Sequence, residues 1–306
     1  MIIIHPLRSR IFFVITLTVF VNSCYVYDEV SLPELEPKLA VSGLAAYGDI
    51  DILSGFSDEN DLYLSRIISY ANESEDTIRQ GLIIFTGPNG RDTIPSLPFQ
   101  SPFGYSYKLN INWQPNYLYE MQVNFPDFPE VRCEFEVPAQ VQVTEASIKD
   151  SIFVDNDLFT AFEFTIYDPQ PRVKNFFSLD LLALHTDMNS GEKSITQIGW
   201  IHDNPLISTQ SGYISDENFV NGTYSFRQEV DLSFLPFEPS FWQDWVFEVR
   251  SINEETFEYI EELKLHSLAQ ENDLFATPRP VTGNIEGGEG FFGVVAVRKD
   301  TIPWPL

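Results

Sequence analysis

Three glycines near the C-terminus of the chain have the spacing of a dinucleotide-binding turn. Gly288, Gly290 and Gly293 stand in the stretch NIEGGEGFFG, residues 284–293. A nucleotide site of this type needs a strand before the glycines and a helix after them, because the helix N-terminus holds the phosphates. The residues after Gly293 (VVAVRKDTIPWPL) instead have the composition of a strand and leave no room for a βαβ unit. We therefore expect no nucleotide at this position.

The same stretch is typical of a turn or bulge that leads into a final strand. Glycine allows a sharp turn, or a close approach to another backbone where a Cβ atom would clash, and an asparagine side chain can stabilise the entry. Phe291 and Phe292 then point to opposite faces of the strand, so one enters the core and the other meets a helix or an outer surface. The residues assigned to this structural motif are Asn284, Gly287, Gly288, Gly290, Phe292 and Gly293.

The histidines do not have the spacing of a metal site or of a known catalytic motif. His185, His202 and His266 are far apart in the sequence, and neither HExxH nor GxSxG occurs. The pair His202-Asp203 is compatible with a metal site or an acid–base site, but we favour a histidine at a strand end. The sequence therefore gives us no catalytic residue, no metal ligand and no cofactor to assign.

Two acidic segments resemble loops that bind calcium. They are Asp58-Glu59-Asn60-Asp61 and Asp155-Asn156-Asp157. Ca²⁺ takes about six to eight oxygen ligands, and neither segment fits the EF-hand pattern. We interpret both as solvated turns and leave calcium binding open.

The tryptophans allow two interpretations, a platform that stacks on a sugar or packing in the core of a sandwich. Tryptophan suits both roles because its ring is large and apolar while its N–H is polar. We favour packing in the core for this set, which comprises Trp113, Trp200, Trp242, Trp245 and Trp304.

The N-terminus has the features of a lipoprotein signal peptide. Arg8 and Arg10 precede an apolar run at 11–21, which is too short to span a bilayer. The residues Val-Asn-Ser-Cys that end at Cys24 resemble a bacterial lipobox, in which the cysteine is lipidated and the peptide is cut before it. The alternative is an ordinary secretory signal with a chance cysteine. We expect residues 1–23 to be removed and Cys24 to carry acyl chains, which anchor a protein stably when there is more than one.

Residues 24–37 are acidic and are interpreted as a tether. Asp28 and Glu29 within it resemble a surface-export signal. The other cysteine, Cys133, lies in the alternating stretch VRCEFEV and is expected to be a small buried hydrophobic residue.

The composition excludes one class of partner. Asp and Glu number 45 against 18 Lys and Arg, which gives a formal net charge of −27. Such a surface repels phosphate backbones, so we expect no nucleic-acid binding. It attracts cations and basic partners.

The elements that must position these residues are mainly strands. Short runs rich in β-branched and aromatic residues alternate with turn residues from Lys38 onward. This pattern predicts an all-β fold in which 38–138 is an immunoglobulin-like β-sandwich. Residues 139–306 are predicted to be a C-terminal β-domain with one packed helix at 253–270. Ser251 or Asn253 is the predicted helix cap.

Three stretches of the C-terminal third also carry a resemblance. They are SDENFVNGTY (215–224), VRSINEETFEYIEELKLHSLAQENDLFATP (249–278) and NIEGGEGFFG (284–293). Together with Val41-Ser42-Gly43-Leu44, they are similar to a lipoprotein family of the Bacteroidota catalogued as domain of unknown function 4249. The resemblance brings no catalytic residue with it.

What the resemblance implies is a setting beside TonB-dependent outer-membrane transporters. The expected function is therefore a non-enzymatic accessory or ligand-capture subunit of an outer-membrane barrel. The expected location is the outer membrane, lipid-anchored and facing the cell surface. The alternatives are a stand-alone carbohydrate- or peptide-binding module and, third, a hydrolase.

Overall fold

Strands account for most of the described chain, together with a single α-helix, so the predicted all-β sandwich class with one helix is confirmed. The computed structural model describes residues 38–49, 61–67, 81–94, 99–101, 104–126, 128–154, 157–170, 173–186, 193–198, 213–231, 242–272 and 281–303. The predicted signal peptide and tether lie outside these residues. In the described part of the chain, no helix has the length and apolar character needed to cross a bilayer.

The first eight strands come from the N-terminal part of the chain. They are β1 (Lys38–Gly48), β2 (Asp61–Ile67), β3 (Leu82–Gly87), β4 (Gly90–Thr93), β5 (Phe99–Ser101), β6 (Gly104–Lys108), β7 (Leu118–Asn124) and β8 (Val131–Glu136). Buried side chains alternate with more accessible ones along β7 and β8, which shows that each strand has one face in the core.

The remaining elements follow Pro138. The strands are β9 (Gln142–Val154), β10 (Asp157–Tyr167), β11 (Asn175–Thr186), β12 (Lys193–Ile198), β13 (Tyr213–Ser215), β14 (Thr223–Asp231), β15 (Trp242–Asn253) and β16 (Glu289–Pro303). The helix α1 spans Glu254–Asn272, and a 3₁₀ helix spans Asp216–Asn218.

A nine-stranded sheet connects the two predicted units. Its main order is β12-β11-β15-β16-β1-β2-β6-β5, with β13 paired to β11. The last strand, β16, runs parallel to the first, β1, with Val41 opposite Gly290. The boundary predicted at Pro138 therefore divides the strands in sequence but not in this sheet. The immunoglobulin-like character of 38–138 stays a prediction.

Two smaller sheets cover one face of the large sheet and create two main clusters of buried apolar side chains. The four-stranded sheet β4-β3-β7-β8 packs over β1, β2 and β16, and its cluster includes Phe85, Trp113 and Phe292. The three-stranded sheet β14-β10-β9 packs over β11 and β15, and its cluster includes Phe164 and Phe247, whose rings stack at 4.0 Å. Each cluster buries apolar area that stabilises its own pair of sheets.

The helix packs on the other face of the large sheet. Its Phe257 ring stacks on Phe176 of β11 with the centroids 3.8 Å apart. Asn253 caps the helix, because its Oδ1 accepts a hydrogen bond from the N–H of Thr256 at 2.9 Å. The alternative prediction, that Ser251 caps the helix, is wrong because Ser251 lies buried within β15.

Candidate functional site

The asparagine that begins the glycine-rich motif holds the start of β16 in place. Its Nδ2 donates to the carbonyl oxygen of Phe292 at 2.8 Å, and its Oδ1 accepts from the N–H of the same residue at 3.0 Å. The Asn284 side chain also bonds to the carboxylate of Glu255, in the first turn of α1. Asn284 therefore connects the motif, the last strand and the helix.

Two glycines of the motif have backbone angles that favour glycine. Gly287 has φ of +76° and Gly290 has φ of +111°, whereas Gly288 does not have a positive φ. A Cβ atom on Gly290 would overlap with the carbonyl oxygen of Val41 in the parallel neighbour β1. The stretch opens a strand, so it lacks the helix that a dinucleotide site needs.

The two phenylalanines that follow point in opposite directions. Phe292 is fully buried and touches the core aromatics, with its ring 4.9 Å from that of Phe135. Phe291 stacks on Tyr259 of α1 at 4.1 Å. The motif thus fixes the last strand between the sandwich core and the helix.

Beside this motif lies a cavity of about 480 Å³. It is bounded by β7 and β8, by the first turn of α1 and by the segment that leads into the motif. The lining residues are Glu120, Arg132, Cys133, Glu134, Glu255, Gly283, Asn284, Ile285 and Glu286. Four carboxylates thus face one guanidinium.

The guanidinium group of Arg132 is already paired with a glutamate, Glu130, that is not among the lining residues. Arg132 lies 2.5 Å from Glu130 and 3.9 Å from Glu120, and the neighbouring carboxylates raise its pKa. Glu134 and Glu286 form no ion pair with any described residue. The cavity therefore keeps an excess of negative charge.

The backbone of the edge strand β8 also contributes to the cavity. Arg132 and Glu286 exchange two hydrogen bonds, N–H to O at 3.0 Å and 2.8 Å, so the backbone groups of Arg132 point away from β7. Residues two apart on a strand direct their backbone groups the same way. The backbone groups of Glu134, which lines the cavity, therefore also point away from β7. Glu136, two residues further, does the same and accepts from Asn253 Nδ2 at 3.2 Å.

Burial changes the acidity of two lining groups. Neighbouring protein atoms partly desolvate the Glu255 carboxyl and raise its pKa, although the residue remains exposed to solvent, and the bond from Asn284 partly opposes this shift. Desolvation also raises the pKa of the Cys133 thiol to about 12, and nearby glutamates add to the effect. The thiol therefore remains protonated at neutral pH and is a poor nucleophile.

The other candidate residues fall in different places. Cys133 is buried, as predicted. His185 lies in β11 and His266 in α1. Cys24, Asp28 and Glu29 lie outside the described residues, as do His202 and most of both acidic segments. Trp113 and Trp245 are buried in the two clusters, which confirms the core interpretation for these two residues. Trp242 begins β15. Trp200 and Trp304 lie outside the described residues.

No group of three or more His, Cys, Asp or Glu side chains is arranged for a metal ion within the described ranges. A cofactor site that depends on such a cluster is therefore not seen in that part of the chain.

The glycine-rich motif, which was identified from the sequence, forms one wall of the cavity. The other walls were not predicted from the sequence. Glu134 and Glu255 come from a strand and a helix that are far from the motif in sequence. For Glu134 the sequence does give one signal, because polar residues alternate with buried ones along VRCEFE, which indicates a solvent-facing row.

Comparisons with known proteins identify a family for this chain. The model of a family described as "Domain of unknown function (DUF4249)" matches residues 54–301. No curated protein matches the chain. The chicken interferon gamma receptor alpha chain has a TM-score of 0.21 and 7% identity, over 70% of this chain and 88% of that chain. A mutant of Salmonella alpha-2-macroglobulin has a TM-score of 0.22 and 11% identity, over 93% of this chain and 16% of that chain. Similarities this weak carry no argument.

Proposed function

We propose a function from the premise that this chain belongs to the family described as Domain of unknown function (DUF4249), whose model covers residues 54–301. The chain is proposed to be a non-enzymatic lipoprotein of the outer membrane, anchored by acyl groups on Cys24 and facing the cell surface. Its role would be that of a ligand-capture or accessory subunit of an outer-membrane β-barrel, specifically a TonB-dependent transporter.

The proposal of ligand capture rests on the cavity beside the glycine-rich motif. Its volume of about 480 Å³ is within the range of small-ligand sites. One wall contains residues 284–286, which belong to the glycine-rich motif. The motif thus supports a concave surface as well as a strand.

The charge of the cavity indicates the class of ligand. Glu134, Glu255 and Glu286 outnumber the single Arg132, which is paired with Glu130. An ammonium or guanidinium group would meet carboxylates and the backbone carbonyl of Glu134 together, and charge-assisted hydrogen bonds of this kind are strong. We therefore propose a ligand with a basic head group, such as a peptide that presents lysine or arginine.

Membrane attachment is supported by the N-terminal sequence. Arg8 and Arg10, the short apolar run at 11–21 and Cys24 follow the order of a lipoprotein signal. A cavity on an anchored domain would hold its ligand close to a barrel, where the effective concentration is raised.

A binding experiment tests the ligand class. Fluorescent peptides that contain arginine or lysine are titrated into the chain and compared with the same peptides containing citrulline or norleucine. We expect binding only of the charged forms, and at least tenfold weaker binding to the double variant Glu134→Gln, Glu255→Gln. Glu229→Gln, an exposed change on β14, is the matched control. Equal binding of charged and neutral peptides would refute the assignment.

The second candidate is a peptide-binding module that works without a barrel. The favouring observation is the charge of the cavity, since the carboxylates of Glu134, Glu255 and Glu286 could bind a basic peptide without a second protein. In that case peptides bind as above, but no barrel copurifies with the lipidated protein.

A further inference from the structure

The edge of β8 beside the cavity carries a gap in its backbone pairing. Arg132 exchanges two hydrogen bonds with Glu286, but this antiparallel bridge is isolated and does not continue along the strand. Further on, the carbonyl oxygen of Glu136 accepts from Asn253 Nδ2 at 3.2 Å. Between these two contacts, the N–H of Glu134 donates to no backbone oxygen of the described residues. Unpaired backbone groups at a sheet edge are a template on which another chain can pair.

The chain itself shows which residue this edge accepts at the neighbouring position. Because Arg132 and Glu286 lie directly opposite each other in an antiparallel bridge, their side chains project to the same face. The Glu286 carboxylate contributes to the raised pKa of Arg132, so opposite charges face each other across the bridge. Residues 283–285 then line the cavity instead of continuing the ladder to Glu134.

The side chain at the gap calls for a cation. Glu134 lies directly opposite Glu120 of β7, and like charges in this position destabilise a sheet. Glu120 has Arg132 at 3.9 Å and accepts from Gln122 Nε2 at 2.8 Å. Glu134 forms no ion pair with any residue that the structure describes. A cation on the open side of Glu134 would therefore offset the repulsion between the two carboxylates.

We propose, building on the proposed capture of a basic ligand, that an extended peptide pairs with β8 as an added antiparallel strand and places a lysine or arginine opposite Glu134. The N–H of this basic residue donates to the carbonyl oxygen of Glu134, and its own carbonyl oxygen accepts from the N–H of Glu134. The carbonyl oxygen of Glu134 is open to this bond, because its one contact among the described residues is the Cys133 thiol at 3.8 Å, a weak donor.

The pairing is short and has a defined register. A strand rises by about 3.4 Å per residue, so the contacts at Arg132 and Glu136 are about 14 Å apart and leave one residue of β8 to pair. The basic side chain projects to the same face as Glu134, which supplies the charge contact. The N–H of the next peptide residue points away from β8, because successive residues of a strand direct their backbone groups to opposite sides.

Titration of the full chain in mild detergent with labelled peptides, followed by fluorescence anisotropy, tests this register. The probe is an acetylated and amidated alanine peptide with one central arginine. Methylation of the arginine's own backbone nitrogen should weaken binding at least about tenfold, because it removes a ladder bond and places a methyl group against the edge. Methylation of the next backbone nitrogen should change the affinity less than about threefold.

A pair of variants tests the other bond. Glu134→Pro and Glu134→Gln both lose the charge, but only the proline variant loses the N–H, which lies outside the β7 ladder. We expect Glu134→Pro to bind the peptide at least about threefold more weakly than Glu134→Gln.

The outcomes separate this inference from the proposed function. Equal effects of the two methylations, or a loss confined to the second, would overturn the strand pairing even if the arginine peptide still binds better than its citrulline form. In that case the capture of a basic ligand is retained. If the arginine peptide does not bind at all, the proposed ligand class and the strand pairing are both wrong.

Discussion

The Asn284 side chain provides the sharpest test of how the motif works. In Asn284→Ala, the N–H and carbonyl oxygen of Phe292 both lose their partner, which they contact at 3.0 Å and 2.8 Å. Phe292 is fully buried, so water replaces these bonds poorly. An orphaned buried group costs about 1–3 kcal/mol, so we expect a loss of about 2–4 kcal/mol in the free energy of unfolding.

Urea unfolding followed by tryptophan fluorescence measures this loss. Trp113 is a suitable reporter because its ring lies 6.4 Å from that of Phe292 in the same cluster. Asn110→Ala, an exposed position before β7, is the control and should change stability by less than about 0.5 kcal/mol. If Asn284→Ala is no more destabilising than this control, the motif does not hold the strand in the way we describe.

Four further predictions concern single positions. Gly290→Ala should destabilise more than Gly90→Ala in urea unfolding, because both glycines have positive φ but only Gly290 faces a backbone oxygen. Cys133 should resist alkylation at pH 8 in the folded chain and react in urea, by mass spectrometry, because burial raises its pKa to about 12. Glu248→Gln should cost about 3–5 kcal/mol in urea unfolding, since Glu248 is buried and its carboxylate pairs with both Arg250 at 2.7 Å and Lys299 at 3.2 Å. Partial desolvation raises the pKa of Glu255 in the folded chain, so folding becomes less favourable as pH rises from the unfolded to the folded pKa of this carboxyl. Glu255→Gln should therefore be more stable than wild type at pH 7 and equal to it below about pH 4, by thermal unfolding; the reverse order would contradict the assignment.

Local patterns were sufficient to predict many of the strands and the helix. Alternation along LYEMQVN places Tyr119, Met121 and Val123 in the core, as expected for a half-buried strand. The helix predicted at 253–270 extends from Glu254 to Asn272. Its cap is Asn253 because β15 continues through Ser251 and reaches the helix without a loop.

Long-range pairing could not be predicted in this way. The parallel pairing of β1 with β16 joins residues about as far apart as the chain allows, and local hydrophobic patterns contain no information on such partners. The cavity has the same origin, since Glu134, Glu255 and Glu286 meet only through that pairing and the position of α1.

Affinity purification of the chain from native membranes in mild detergent tests the proposed function most directly. With Cys24 intact, we expect an outer-membrane β-barrel to copurify in a stoichiometric amount, identified by mass spectrometry. The Cys24→Ser variant should no longer be recovered in the membrane fraction, and no barrel should copurify with it. Recovery of the lipidated chain alone, with no barrel, would contradict the account of an accessory subunit.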